Sequence, residues 1–270
     1  MTGRDDVTVV IPCFNHGNYL GEAVASVLTQ EGESPRLIVV DDGSTEPETA
    51  ATLESLPEGV ELIRQANAGP AAARNAGFAR SETPYVLPLD ADDRLPAGAL
   101  AAMHQALESD QDAAYAYGVM HFFGDWGGEV RLPGYDPYRL LYRPIVGWLG
   151  LIRRAAWKEA GGFDPELLGF EDWDFTLSAI ERGWHGRRLD RVVLDYRKHG
   201  HSGLEQDRRR YRELYRRLRD KHAGLYQRAR ELAAESDLGP AGRLAYRTWW
   251  AWRPLPAGLE RTIYRFLFRR

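Results

Sequence analysis

The residues best equipped for chemistry in this 270-residue chain are acidic, and they fall into short clusters. Asp41-Asp42 and Asp90-Ala91-Asp92-Asp93 each follow a short apolar run, while Glu171-Asp172-Trp173-Asp174 opens a helix-like pattern. On strand-end loops, Asp42, Asp90, Asp92 and Asp93 repel one another unless something positive stands between them. A hard divalent cation does this, and Mg²⁺ or Mn²⁺ characteristically bridges one or two carboxylates to substrate phosphates. The alternative for Asp90-Ala91-Asp92-Asp93 is a solvated turn before the next helix, with Pro96 near its start. A carboxylate in the Glu171-Asp172 pair is a candidate general base for a hydroxyl nucleophile; helix capping and dipole complementation are the alternative. Arg74, in the small-residue stretch Asn67 to Gly77, can donate bidentately to a phosphate or a base carbonyl, or pair with a neighbouring acid. His199 and His201 can complete a metal shell, touch a phosphate, or lie in a solvated loop.

These groups need elements to hold them. Val7-Thr8-Val9-Val10-Ile11 reads as a strand buried on both faces and stopped by Pro12. Further strands are expected at Leu37–Val40, Val60–Ile63 and Tyr85–Leu89. Between them lie a helix capped by Asn18, with Leu20, Ala23, Val24, Val27 and Leu28 on its apolar face, and a second over Pro70–Arg80. Strand–helix alternation implies a parallel sheet with helices on both faces. Ligands bind such sheets beyond the carboxyl ends of the strands. Pro12-Cys13-Phe14-Asn15, Asp41-Asp42 and Asp90-Ala91-Asp92-Asp93 therefore converge on one edge. The helix at Glu171-Asp172 carries Phe175, Leu177 and Ile180 toward Gly183, after the turn cluster Gly161-Gly162-Phe163-Asp164-Pro165. A further tail helix places Tyr211, Leu214, Tyr215, Leu218, Leu225 and Leu232 on its apolar face.

Composition excludes several classes. An apolar fraction of 44% with 27% charged residues is that of a globular protein, neither collagen-like nor disordered. One cysteine, Cys13, allows no internal disulfide framework and fits a reducing compartment. A net charge of −4 gives no general reason to expect nucleic acid as a partner. No apolar stretch approaches the roughly 20 residues of a membrane span, and no signal peptide is evident at the start. The charge is unevenly placed: residues 1–204 hold 18 Lys+Arg and 31 Asp+Glu, and residues 205–270 hold 17 and 8.

Taken in order, Val9-Val10-Ile11-Pro12-Cys13-Phe14-Asn15, Val39-Val40-Asp41-Asp42-Gly43-Ser44-Thr45, Asn67 to Gly77, Asp90-Ala91-Asp92-Asp93, Gly161-Gly162-Phe163-Asp164 with Glu171-Asp172, and Tyr196-Arg197 with His199 resemble the inverting family 2 glycosyltransferases. The resemblance covers roughly residues 5–205. It implies the α/β GT-A fold: a Rossmann-like, mostly parallel central sheet flanked by helices, here with a helical C-terminal extension. It also implies a nucleotide-diphosphate sugar donor of UDP, GDP or dTDP type, Mn²⁺ or Mg²⁺, and a hydroxyl acceptor for which a lipid-linked molecule is one candidate. By the same resemblance, Phe14 stacks on the base, Pro12 presents its carbonyl, Asp42 hydrogen-bonds the base, and Asn15, Arg74 and Ala91 belong to the nucleotide site. Asp92 is the expected metal contact, Asp90 or Asp93 lies near the ribose or the metal's waters, His199 is a metal or phosphate neighbour, and Asp172 is the base.

The expected organisation is a transferase domain over 1–204 and a basic, aromatic helical extension over 205–270. In that extension Trp249, Trp250 and Trp252 precede an expected amphipathic helix with Leu259, Ile263, Phe266 and Leu267 on one face. Arg261, Arg265, Arg269 and Arg270 are available to its other face. Such a helix suits an anionic membrane surface or packs back on protein. The expected location is cytoplasmic, with peripheral contact at the inner face of the cell membrane. Trp126, Tyr135, Tyr138 and Trp148 are candidate platforms for an acceptor sugar. Two rival functions remain: a sugar-phosphate nucleotidyltransferase, against which no Gly-rich phosphate loop follows the first strand, and a non-catalytic nucleotide-sugar-binding module.

Overall fold

The structure is a computed structural model describing residues 6–125, 127–146, 149–199 and 208–252. In chain order the first elements are β1 (Val7–Cys13), α1 (Gly17–Leu28), β2 (Arg36–Asp41), α2 (Pro47–Glu54), β3 (Val60–Arg64), α3 (Pro70–Arg80), β4 (Tyr85–Pro88) and α4 (Ala99–Glu108). They continue with β5 (Ala113–Gly124), β6 (Gly128–Val130), α5 (Pro137–Leu140), β7 (Ile152–Arg153), α6 (Arg154–Ala160), α7 (Glu171–Glu181) and β8 (His185–Lys198). The chain divides into two compact units, one of residues 1–135 and 146–199, the other of 136–145 and 200–270.

The first unit contains an eight-stranded sheet in the order β3-β2-β1-β4-β7-β5-β6, with β8 pairing β5. β1 to β4 run parallel, β8 runs parallel to β5, and β7 is antiparallel to both β4 and β5. The expected mostly parallel sheet is therefore present, and the carboxyl ends of β1, β2, β4 and β8 share one edge. β1 is buried along nearly its whole length, which explains its unbroken apolar run.

Pro12 does not stop β1, contrary to the sequence expectation. Val10 accepts a hydrogen bond from Leu89 N beside β4, and residues two apart on a strand bond toward the same side. The missing N–H of Pro12 thus falls past the end of β4, where no ladder partner is lost. α1 is entered at His16 rather than capped by Asn18. Its first amide is held from α2, Gly17 N donating to Thr49 Oγ1 at 3.0 Å. Leu28, assigned to the apolar face, is 49% exposed. α3 spans the expected Pro70–Arg80.

In the second unit the tail is not one helix but several, Arg208–Lys221, Ala223–Gln227, Ala229–Glu235 and Pro240–Ala245, followed by a π-helical turn, Tyr246–Trp250. The six apolar positions expected to face inward are nevertheless all buried. Within this unit Arg143 lies over Trp250 at 4.1 Å, and Tyr215 meets Trp252 edge-on at 5.1 Å. These two tryptophans thus pack internally. Tyr138 is buried and donates to Arg243 O, so it offers no face to a sugar. The amphipathic segment from Leu259 to Arg270, together with Trp126, Trp148 and His201, lies outside the described residues. Among the described residues no helix is long and apolar enough to cross a membrane.

α3 must lie close against β1 to bring its side chains to the sheet edge, and Gly77 permits this. A Cβ on Gly77 would stand 2.3 Å from Val10 Cγ1. We expect Gly77→Ala to destabilise the protein by about 1–3 kcal/mol through overpacking. Urea unfolding checks this, and an unchanged midpoint with an unchanged slope would count against the close approach.

Candidate active site

β1 ends at Cys13, and Phe14 follows as an exposed ring, 44% accessible. Asn15 adopts a left-handed backbone (φ 55°), which Asn tolerates better than most residues. Its Oδ1 accepts from Thr45 N and Glu46 N, stitching the β1 end to the loop after β2. Asp42 is buried, and its carboxylate organises the loop into α3. Oδ1 accepts from Gln65 Nε2 and Ala68 N, and Oδ2 accepts from Gly69 N. The backbone amides of Ala68 and Gly69, just ahead of α3, are thus engaged by this carboxylate.

Beyond β4, the residues Asp90-Ala91-Asp92-Asp93 do not cap the next helix, since α4 begins only at Ala99. Ala91 is buried beneath them. Asp92 Oδ2 lies 2.7 Å from His199 Nε2, the first residue past β8. His199 stacks on Tyr19 of α1 at 5.2 Å. Arg197 donates from Nε to Asp92 O and from its backbone N to Asp93 Oδ1, while its guanidinium pairs with Glu22 and lies over Tyr19. β8, parallel to β5, thereby delivers His199 to the edge where β4 delivers Asp92.

The expected metal set of Asp92, Asp93 and His199 does not converge. Asp93 is 2% exposed, with Oδ1 facing Arg197 N and Oδ2 buried without a hydrogen-bond partner. Burial, reinforced by Asp90 and Asp92 and opposed by Arg197, pushes its carboxyl well above the usual carboxylate range, which favours the neutral form. Among the described residues no three His, Cys, Asp or Glu side chains form a metal cage. What remains is Asp92 with His199, one carboxylate oxygen and one imidazole nitrogen, both partly open to solvent. This donor pair fits Mn²⁺ or Mg²⁺ whose other positions are filled by a diphosphate and water.

Arg74 reaches from α3 into the middle of the acids. Its Nη2 donates to Asp90 Oδ1 at 2.7 Å and its Nη1 to Glu171 Oε1 at 3.1 Å, while Nη1 also stands 3.7 Å from Asp172 Oδ1. The guanidinium is 8% exposed, and removing one member of a buried ion-paired group typically costs about 3–5 kcal/mol. Burial works against the arginine's charge, but Asp90, Asp172 and Glu171 together hold it firmly protonated. Asp172, 31% exposed, is raised to about 7, first by burial and then by Glu171 and Asp90, with Arg74 pulling the other way.

Sequence reading did not single out Asn75, which turns out to hold the segment leading to the base. Its Oδ1 accepts from Phe163 N at 2.9 Å and Trp157 Nε1 at 3.3 Å, and its Nδ2 donates to Phe163 O at 2.7 Å. Gly162 has φ 83°, and a Cβ there would stand 2.9 Å from Asn75 Oδ1. Phe163 fills the core between Phe78 and Phe175. Gly161-Gly162-Phe163-Asp164 is therefore a docking loop: glycine admits the amide and phenylalanine anchors it. The available signal was an Asn inside a helix, where its propensity is poor and a polar duty is the usual compensation.

The strand order, the parallel edge and the carboxylates gathered on it define a GT-A-type α/β fold. Residues 8–164 match the glycosyl transferase family 2 model, and the chain belongs to that family. It is 29% identical over 199 residues to the succinoglycan biosynthesis protein ExoU of Rhizobium meliloti (strain 1021), covering 66% of this chain and 58% of that protein. It is 25% identical over 217 residues to the uncharacterized glycosyltransferase EpsJ of Bacillus subtilis (strain 168), covering 74% and 63%. The chain thus spans less than two thirds of either relative. Residues 1–349 of S. aureus TarS, solved with UDP, superpose with a TM-score of 0.66 at 20% identity, over 98% of this chain and 75% of that one. The same S. aureus protein with UDP-GlcNAc gives 0.65 at 18%. At these identities the likeness is one of fold.

Asn75→Ala removes three hydrogen bonds and leaves Phe163 N and O buried without partners. We expect a loss of about 2–4 kcal/mol, with new proteolytic cutting between residues 157 and 171. Wild-type stability and an unchanged digestion pattern would contradict the docking role.

Proposed function

We propose that the protein is an inverting, divalent-metal-dependent glycosyltransferase that moves a sugar from a nucleoside-diphosphate donor to an acceptor hydroxyl. The observation that carries this reading is the meeting of a strand-end carboxylate, Asp90, with a helix-start carboxylate, Asp172, around Arg74. It puts a base beside the edge where a GT-A sheet receives its donor. Phe14 offers an exposed ring to the nucleobase, close in sequence to the Pro12 carbonyl and joined across the strand ends to Asp42, whose N donates to Cys13 O at 2.8 Å. The UDP and UDP-GlcNAc complexes of S. aureus TarS bring a uridine donor to the front of the candidates. The name of ExoU supports a role in polysaccharide synthesis.

The site is rich in carboxylates and its buried guanidinium is already shared by three of them, so a diphosphate entering alone would meet repulsion. Asp92 and His199 are the residues that would hold Mn²⁺ or Mg²⁺, which when bound supplies Lewis-acid stabilisation of the departing diphosphate. Asp172 takes the proton of the acceptor hydroxyl as that oxygen attacks the anomeric carbon. The bond from that carbon to the diphosphate oxygen breaks, and its electron pair leaves with the nucleoside diphosphate. Attack from the face opposite the leaving group inverts the configuration. Burial raises Asp172 toward neutrality, against the pull of Arg74, which suits a group that must gain and release a proton under neutral conditions.

A screen of UDP-, GDP- and dTDP-sugars with Mn²⁺, read by release of nucleoside diphosphate, tests the activity. Pyrophosphate in its place would make the protein a nucleotidyltransferase, and binding without release would make it a binding module. Asp172→Asn is expected to lower turnover at least about a hundredfold while leaving nucleotide affinity near wild type. Retained turnover would reassign the base. Turnover of the wild type should rise with pH through about 7, because only ionised Asp172 accepts a proton. Asp92→Ala should abolish the Mn²⁺ dependence of nucleotide binding seen by calorimetry; unchanged affinities with and without metal would refute its role.

A further inference from the structure

Arg74 was expected to help hold the nucleotide, yet its geometry serves a different group. Both terminal nitrogens of its guanidinium face carboxylates, at 2.7 Å from Asp90 and 3.1 Å from Glu171, and those two contacts fix its plane. Glu171 is fixed in turn, its Oε2 accepting from Gly169 N. Asp172 stands apart from this pattern. At 3.7 Å from Nη1 it lies inside ion-pair range but beyond a hydrogen bond, and it is the more exposed of the two acids at the start of α7. A base needs this combination: a nearby positive charge to keep it ionised, and lone pairs left open for the proton it takes. A direct guanidinium hydrogen bond would occupy a lone pair and weaken the base.

We propose that Arg74 is a positioning residue for the general base: anchored by Asp90 and Glu171, it holds Asp172 in place and in its charged form, and does not serve as a ligand of the donor's diphosphate. The inference rests on the reading of Asp172 as the base. Asp172 is faced by Arg74 from α3, by Glu171 from its own helix and by Asp90 from the loop after β4. The cation lowers its proton affinity and the two acids raise it, so removing charges of opposite sign must move it in opposite directions. The adjacent Asn75 binds the loop ahead of α7, so two neighbouring residues of α3 fix both the position and the charge of the base.

The test is the pH dependence of donor hydrolysis by the full chain, together with calorimetric affinities for UDP, GDP and dTDP in Mn²⁺. Arg74→Gln is expected to move the acid limb of kcat up by at least one pH unit and lower kcat at pH 7 at least tenfold. Nucleoside diphosphate affinity should stay within about threefold. Arg74→Lys, which keeps the charge but loses the fork, should shift the limb less. Glu171→Gln should shift it down. Arg80→Gln, an exposed change on the same helix where Arg80 pairs with Glu61, should leave the profile in place. A more than tenfold loss of nucleoside diphosphate affinity in Arg74→Gln with an unmoved limb would overturn the proposal and make Arg74 a diphosphate ligand. If Arg74→Gln does not fold, Arg74→Lys and Glu171→Gln decide it, and coincident wild-type profiles for both overturn it. A wild-type chain that releases nucleoside diphosphate from no donor overturns the base reading and this inference together. Activity with an unmoved limb overturns only the inference.

Discussion

Crowding of negative charge at one edge of a parallel sheet is the constraint on which the rest of this structure depends. Asp42, Asp90, Asp92, Asp93, Glu171 and Asp172 are carried there by β2, β4 and α7, and such a group is stable only when each charge is neutralised, hydrogen-bonded or protonated. All three solutions occur. Asp42 is held by two backbone amides and a glutamine. Asp93 is buried, which favours its neutral form. Asp90 and Glu171 are bridged by Arg74. Asp92, beside His199, and Asp172, without a hydrogen bond to the guanidinium, are satisfied least within the protein, and these are the two to which chemistry is assigned.

The packing of α3 follows from the same constraint. The Arg74 guanidinium enters the acids from a helix lying close over the sheet, and Gly77 against Val10 gives α3 that closeness. Once there, successive side chains divide the work: Arg74 faces the acids and Asn75 the docking loop. The loop in turn depends on Gly162 for room and on Phe163 for an apolar anchor, so the base is located through helix packing rather than by its own surroundings alone.

The sheet edge was legible in the sequence because a buried parallel strand must be continuously apolar and a following polar cluster must lie at its end. β1, β2 and β4 announce themselves in this way, and Pro70 with the small residues that follow it marks α3. The partners of Arg74 were not legible, since Glu171 lies 97 positions away and nothing local distinguishes an arginine that binds phosphate from one that binds acids. Asp93 looked like Asp92 because exposure, not residue type, separates a ligand from a buried neutral acid. Pro12 misled because its cost depends on which neighbour has ended, a property of register. In the second unit the apolar spacing from Tyr211 to Leu232 located the buried face, but not the breaks that divide it into several helices.

On the proposed reading, the cation at the donor's diphosphate is a metal held by Asp92 and His199, while Arg74 stays with the acids. Anomalous diffraction from crystals grown with Mn²⁺ and UDP tests it most directly. The expected result is a manganese peak bonded to the Asp92 carboxylate and to the diphosphate, with Arg74 still bridging Asp90 and Glu171. A bound diphosphate gripped by Arg74, with no manganese peak beside Asp92, would contradict it.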